Sequence, residues 1–367
     1  MKYKNLYIAA SSQHVGKTTS TLGITSTFIQ KGLNVGYCKP VGQKFLKFQD
    51  HSVDKDTLLF ADLIKFDIKP EYHSPIVLPS KLVRSYIREP KPTDFEERIL
   101  AARDRLNEIH DLTIFEGTGH PGVGSVVGLS NAKVAKMLDA GVIMILEGGI
   151  GSTIDMFHMC TALFREQDVP IVGVIINKVR PDKLEMVEEY IRIYLERQGI
   201  PLLGMMPYDE VLAYPLMRSV AKSLKATVTM NEDKLDNRVE NMLAGSLVDL
   251  TELKTVENHL LIASNRTIDR AIKKVESFSS FKSVHDSPLC GIIVTGEGDI
   301  DDMSRKYIEE HELPLLRTNF DTYGAVLKIS RIEVKINRST PWKINRAIEM
   351  INANVNLDRI LASLKLQ

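Results

Sequence analysis

The residues best suited to chemistry open the chain. The run Ser11-Ser12-Gln13-His14-Val15-Gly16-Lys17-Thr18-Thr19 joins a small, glycine-bearing loop to a lysine and two hydroxyls. An apolar stretch at 6–10 precedes it and a helical pattern over 18–30 follows, the strand–loop–helix setting in which such a run cradles phosphate. Successive backbone N–H groups make a concave nest for phosphate oxygens there, and the helix start adds the positive end of its dipole. Ser12, Val15, Gly16, Lys17, Thr18 and Thr19 are therefore the expected phosphate-binding residues. Lys17 is expected to reach the β- and γ-phosphates and to act in catalysis, while the Thr18 hydroxyl holds Mg²⁺. Ser11 stands where the G-x-x-x-x-G-K-T pattern has its first glycine, a position that another small residue can fill.

A lysine of this kind needs metal-binding oxygens close by, because Mg²⁺ prefers hard donors. Glu116 ends the predicted strand 113–115 and opens the turn Gly117-Thr118-Gly119-His120-Pro121-Gly122. In an open α/β sheet ligands bind at the carboxyl ends of strands, which makes Glu116 a metal ligand by position. Asp56 is a second metal candidate, with a helix N-cap as the competing reading. Asp54 reads as a solvated charge or a further ligand. Lys39 ends the strand 34–38, faces the same crevice and suits an anionic substrate group or a phosphoryl in flight, a catalytic role. Asn177 ends the strand 171–176, and an amide there can read the donor and acceptor edge of adenine. His14, His51 and His120 lie in loops and read as incidental.

These positions require strands that alternate with helices. Strands are expected at 6–10, 34–38, 113–115, 142–146 and 171–176, with helices at 18–30, 131–138 and 183–198. The order implies βαβ units and a mostly parallel sheet. A second α/β pattern follows the 207–214 segment: a helix at 235–243, strands at 259–263, 290–295 and 315–316, and helices at 267–276, 301–310, 322–329 and 342–352. The connection is placed at 215–228, giving domains at 1–218 and 225–367. A chain of 367 residues fits about two domains. Its composition, 44% hydrophobic and 26% charged, is that of an ordinary soluble globular protein. Lys+Arg and Asp+Glu both number 47, which argues against a nucleic-acid surface recognised by bulk charge. Cys38, Cys160 and Cys290 lack metal-type spacing and read as reduced thiols. The apolar runs fall short of the roughly 20 residues a membrane-spanning helix needs. The N-terminus does not read as a signal peptide, so a soluble cytoplasmic location without a membrane or nucleic-acid partner is expected.

In chain order, SSQHVGKTT, GYCKPVGQ, DKD, FEGTGHPGVGS, EGGIGSTID and GVIINKV resemble the dethiobiotin synthetase and cobyrinic acid a,c-diamide synthase group of P-loop enzymes. The whole chain is similar to the N-terminal part of long phosphate acetyltransferases, where such a domain precedes a DRTGG domain. The stretch CGIIVTGEGD with LPLLRTNFDTYGAVLKISRI resembles that second domain. The resemblance spans about 1–215 with specific motifs and about 225–355 with weaker ones. It implies a P-loop NTPase fold with a mostly parallel sheet followed by a smaller α/β DRTGG-like domain. It also implies ATP and Mg²⁺ as cofactors, with Asp56 and Glu116 as Mg²⁺ carboxylates, Lys39 beside the substrate and γ-phosphate, and Asn177 on adenine. A homodimer is the one partner it suggests, because the related synthetases place their sites at subunit interfaces.

The chain departs from the family at His14, where an acidic residue is usual, and at Ser264-Asn265-Arg266 and Thr295-Gly296-Glu297, which replace the motif naming the second domain. Ser12 stands where partitioning and targeting ATPases carry an extra lysine, which points away from that branch. The cysteines sit in no nucleophile elbow, so a glutaminase activity is not expected. Acetyl transfer is not expected either, since no acetyltransferase domain follows residue 367. The expected function is an ATP-binding regulatory module or slow ATPase. The alternatives are an ATP-dependent ligase activating a small carboxylate or carbamate, and a structural interaction protein with a disabled nucleotide site.

Overall fold

A computed structural model describes residues 3–245, 257–281, 286–332 and 334–364. The chain forms two compact units, Met1–Asp209 with Ile336–Gln367, and Glu210–Lys335. The first is built on a six-stranded sheet. Its strands lie in the order Leu202–Pro207, Ile171–Val179, Ala140–Glu147, Asn5–Ala10, Leu112–Glu116 and Val35–Cys38. Every neighbouring pair is parallel. Parallel strands bury both faces, and the central ones accordingly read as continuous apolar runs: Leu6 to Ala10 and Val142 to Leu146 are all buried.

Because all six strands run the same way, their carboxyl ends share one edge. Register places Ile8 opposite Glu116 and Cys38 opposite Phe115. The residues that leave these strands, Ser11, Lys39 and Gly117, are thus brought to one rim. The sheet order adds a crevice there. The helix Lys17–Gln30 leads from Asn5–Ala10 toward Val35–Cys38 on one side, while Gly151–Glu166 leads from Ala140–Glu147 toward Ile171–Val179 on the other. Ligands of open α/β sheets bind where connections part in this way. Among the described residues no helix is long and apolar enough to cross a membrane, and Cys38, Cys160 and Cys290 are free and buried.

The expected second domain, 225–367, is too long by its last segment. The helix Pro341–Asn354 belongs to the first unit, where it packs along Lys17–Gln30. The approach is close because Gly23 lacks a side chain: a Cβ there would come within 2.4 Å of the Ile351 side chain. Thr27 Oγ1 lies 2.6 Å from Asn352 Oδ1, and Arg346 pairs with Asp209 at 2.7 Å. Ile344 and Ile348 complete the apolar face against Leu22, Tyr37, Leu59 and Phe60. Sequence adjacency suggested the wrong neighbour, and the isoleucine face decides the right one.

The second unit is a five-stranded sheet in the order Thr227–Met230, Leu315–Thr318, Leu289–Thr295, His259–Ser264 and Asn241–Ala244. Only Thr227–Met230 runs antiparallel to its neighbour. Alternation separates two cores. Leu261 and Ala263 pack with Ile268, Ile272 and Ile308. Leu260 and Ile262 pack with Met217, Val220 and Ile329 on the opposite face. Two expectations are corrected here. The segment 215–228 is not a connection, since it holds the helix Met217–Leu224 and begins the strand Thr227–Met230. Residues 235–243 are not a helix: Asn241–Ala244 pairs in parallel with His259–Ser264. The preceding backbone is held by the Val239 N–H on Pro215 O and by Asn237 Nδ2 on Cys290 O. Edge pairing and these tertiary bonds outweigh a local helical pattern.

Ile351 is fully buried, so Ile351→Ala should cost about 2–4 kcal/mol of stability through lost burial and the remaining cavity. Urea unfolding followed by the fluorescence of Trp342, the only tryptophan and a residue of the same helix, checks it. An unchanged midpoint would mean that this helix contributes nothing to the first unit's core.

Candidate nucleotide site

The loop after Asn5–Ala10 turns into its helix through Gly16, at φ 109° and ψ 25°. Glycine is required there twice over. The conformation is left-handed, and a Cβ would lie 2.0 Å from Asn177 Nδ2. The helix start carries no side-chain cap and no acidic residue in its first turn. Its amide groups and positive dipole end therefore remain suited to an anion. Lys17 folds back on this loop, with Nζ donating to Gly119 O at 2.8 Å and Ser12 O at 3.1 Å. Ser12 Oγ donates to Gln13 O, Val15 is buried and Thr19 half-buried in the first helical turn.

Beside the loop lies a buried charged cluster. Lys39 Nζ donates to Asp56 Oδ2 at 2.7 Å and to Glu116 Oε1 at 3.0 Å. The same Glu116 oxygen accepts the Thr18 Oγ1 hydrogen at 3.0 Å, and the Tyr37 hydroxyl approaches Glu116 Oε2 at 3.3 Å. Lys39 is 4% exposed and Glu116 0%. Burial works against the ammonium, yet the Asp56 and Glu116 carboxylates hold Lys39 well above the usual lysine range. Tyr37 is driven upward by burial and then by Glu116; its ring stacks on Phe60 with centroids 3.8 Å apart.

Asp56 and Asp54 divide their work differently from expectation. Asp54, at 3% exposure, is the N-cap of the helix Lys55–Ile64, its Oδ1 accepting the Asp56 N–H at 2.9 Å. The solvated-charge reading of Asp54 is therefore corrected, as is the cap reading of Asp56, whose carboxylate turns to Lys39. Burial pushes the Asp54 carboxyl up to about 6 against the pull of Lys39.

Asn177 reaches the loop from Ile171–Val179. Its Nδ2 donates to Val15 O at 2.7 Å and its Oδ1 accepts the Lys178 N–H at 2.8 Å. The amide expected to read adenine thus ties the loop after Asn5–Ala10 to a strand two places away in the sheet. Asn131, missed in the sequence, braces the turn after Glu116. Its Oδ1 accepts from the Tyr7 hydroxyl at 2.6 Å and Thr118 N–H at 3.1 Å, and its Nδ2 donates to Thr118 O and His120 O at 2.8 and 2.6 Å. The only sequence signal for it was a polar residue after Ser130, the N-cap of Asn131–Met137.

Among the described residues no group of three or more His, Cys, Asp and Glu side chains could hold a metal unaided. A phosphate-bound Mg²⁺ does not need one, since it usually takes one or two carboxylates and completes its octahedron with phosphate and water. Thr18, Asp56 and Glu116 fit that donor chemistry: the two carboxylates already meet on a positive charge, the Lys39 ammonium, and the Thr18 hydroxyl lies against the same Glu116 oxygen.

A family model described as an AAA domain matches residues 4–215, and one described as a DRTGG domain matches 219–332. The second match ends short of the helix Pro341–Asn354. The chain is similar to phosphate acetyltransferase of Synechocystis sp., at 24% identity over 372 residues, covering 98% of this chain and 52% of that protein. It is similar to the Haemophilus influenzae phosphate acetyltransferase at 22% over 386 residues, covering 97% and 52%. With cobyric acid synthase of Clostridium perfringens it shares 25% over 407 residues, covering 97% and 82%. The chain spans about half the length of these phosphate acetyltransferases.

His73, whose carbonyl receives the Lys39 N–H, is lowered by burial to about 4 from 6.5. The native state keeps it neutral, so its contribution to stability is complete above pH 6.5 and lost as pH falls toward 4. Asp54 acts in the opposite sense, because its raised value makes ionisation the disfavoured step as pH rises through about 6. The informative quantity is consequently a difference. Between pH 7 and 5, His73→Gln should lose about 2 kcal/mol less than the wild type in urea unfolding. Parallel losses would show that His73 takes up its proton within the native fold.

Proposed function

The chain belongs to the AAA-domain family, and from that premise we propose that it is a Mg²⁺-dependent ATP-binding regulatory module. The observation that supports this reading is the convergence of Lys17, Thr18, Lys39, Asp56 and Glu116 on one rim of the sheet, beside an uncapped helix start. The loop amides from Ser12 to Thr19 would bind the phosphates, with Lys17 exchanging its two carbonyl partners for phosphate oxygens. Thr18, Asp56 and Glu116 would hold Mg²⁺, which when bound neutralises phosphate charge. Asn177 would present its remaining amide hydrogen to the base while keeping the loop in place. The DRTGG match at 219–332 supports a regulatory output, as does the similarity of the chain to about half of longer enzymes.

One observation favours a second reading, slow ATP hydrolysis or an ATP-dependent ligase acting on a small carboxylate or carbamate. Lys39 carries a buried positive charge at a strand end, where it could stabilise a transferring phosphoryl. Under that reading Lys39→Ala abolishes turnover; under the regulatory reading there is no turnover to lose.

Calorimetric titration with ATP, ADP and GTP, with and without Mg²⁺, tests the proposal. Mg²⁺-dependent binding that favours adenine is expected. Lys17→Ala should weaken it about 10–100-fold, the equivalent of a charge-assisted hydrogen bond. No binding by the wild type at millimolar ATP would remove the reading and leave a structural interaction protein.

A further inference from the structure

Two lysines stand at this rim. Lys17 rests on neutral carbonyls, Ser12 O and Gly119 O. Lys39 rests on Asp56 and Glu116, the carboxylates best suited to a metal, at 2.7 and 3.0 Å. The Glu116 oxygen that it touches also accepts the Thr18 hydroxyl, the third metal donor. The ammonium therefore lies where the candidate Mg²⁺ oxygens converge.

Two cations would compete for these carboxylates. A divalent ion arriving alone would take from Lys39 the two carboxylates that accept its hydrogen bonds, leaving the unbridged Asp54 as its remaining anionic neighbour and a buried ammonium beside a second positive charge, which is unfavourable. An ion arriving with a polyphosphate brings new anionic oxygens, so the displaced ammonium has somewhere to go. The Lys39 backbone is held by its N–H on His73 O at 2.9 Å, so the exchange is assigned to the side chain.

We propose that Lys39 is a built-in counter-ion that holds the metal carboxylates in the nucleotide-free protein and excludes bare divalent cations, so that metal enters only together with the nucleotide. The proposal rests on the reading of this rim as a Mg²⁺–nucleotide site and adds the order of events there. It makes Lys39 a coupling residue: metal occupancy and release of its ammonium toward the phosphates become one step.

Mn²⁺ without nucleotide is the probe, with free ion counted by electron paramagnetic resonance on the full chain. Lys39→Met should bind Mn²⁺ at least about tenfold more tightly than the wild type. Lys39→Arg, which keeps the charge, should remain like the wild type, and adding Glu116→Gln to Lys39→Met should remove the gain. Equal Mn²⁺ affinity in the wild type and a folded Lys39→Met would overturn the proposal. So would a wild type that binds Mn²⁺ at micromolar concentration without nucleotide and loses it in Glu116→Gln, a comparison that does not need the Lys39 variant to fold. Absence of ATP binding in the wild type would sink the nucleotide reading instead, and the nucleotide-free Mn²⁺ comparison would still be read.

Discussion

The contact between Lys39 and the two carboxylates Asp56 and Glu116 is the constraint around which the first unit is arranged. An ammonium and a carboxylate this deeply buried are tolerable only if their charges and hydrogen-bonding atoms find partners. Lys39 finds two acceptors, and Glu116 receives the ammonium and the Thr18 hydroxyl, with Tyr37 at its second oxygen. The five groups come from four elements. Tyr37 lies in one strand and Lys39 follows it, Glu116 ends the neighbouring strand, and Thr18 and Asp56 lie in the first turns of two helices. Charge pairing therefore demands that these elements meet at one rim, and the parallel sheet provides the rim.

The same demand explains supports that carry no chemistry themselves. Asp54 caps its helix and so turns the neighbouring Asp56 toward Lys39. Asn131 satisfies the backbone after Glu116, where Gly117 lies so close to Tyr7 that a Cβ would come within 2.9 Å of its ring. On the far side of Lys17–Gln30, the helix Pro341–Asn354 covers a surface made accessible by Gly23. The loop helix is thus packed between the sheet and a segment distant in sequence. Its first turn can remain uncapped because its body is fixed by burial.

How much of this the sequence disclosed follows the range of each interaction. The strand–loop–helix setting of residues 11–19, and the meeting of Glu116 and Lys39 at the same rim, were legible because such punctuation is local and parallel strands place their ends together. The α/β class was legible for the same reason, from alternating apolar runs. Asp54 and Asp56 were not separable, since two aspartates two residues apart compete for one cap and only the position of Lys39 decides between them. Asn131 gave no usable signal: its four partners lie at Tyr7, Thr118 and His120. The strand Asn241–Ala244 was misread because its apolar spacing also suits a helix, and pairing with His259–Ser264 settles the matter. The home of Pro341–Asn354 was illegible for a related reason, because a helix pattern shows which face is apolar but not which surface it covers.

The division of the chain sharpens what each unit contributes. Every residue proposed for nucleotide or metal binding lies between Ser12 and Asn177, inside the AAA-domain match. The Glu210–Lys335 unit closes its own sheet with an antiparallel strand and fills a core on each face. It supplies none of the candidate oxygens or ammonium groups. The candidate donors are thus confined to one of the two units. That division is consistent with the regulatory reading proposed above, in which one unit binds the nucleotide and the DRTGG match falls on the other.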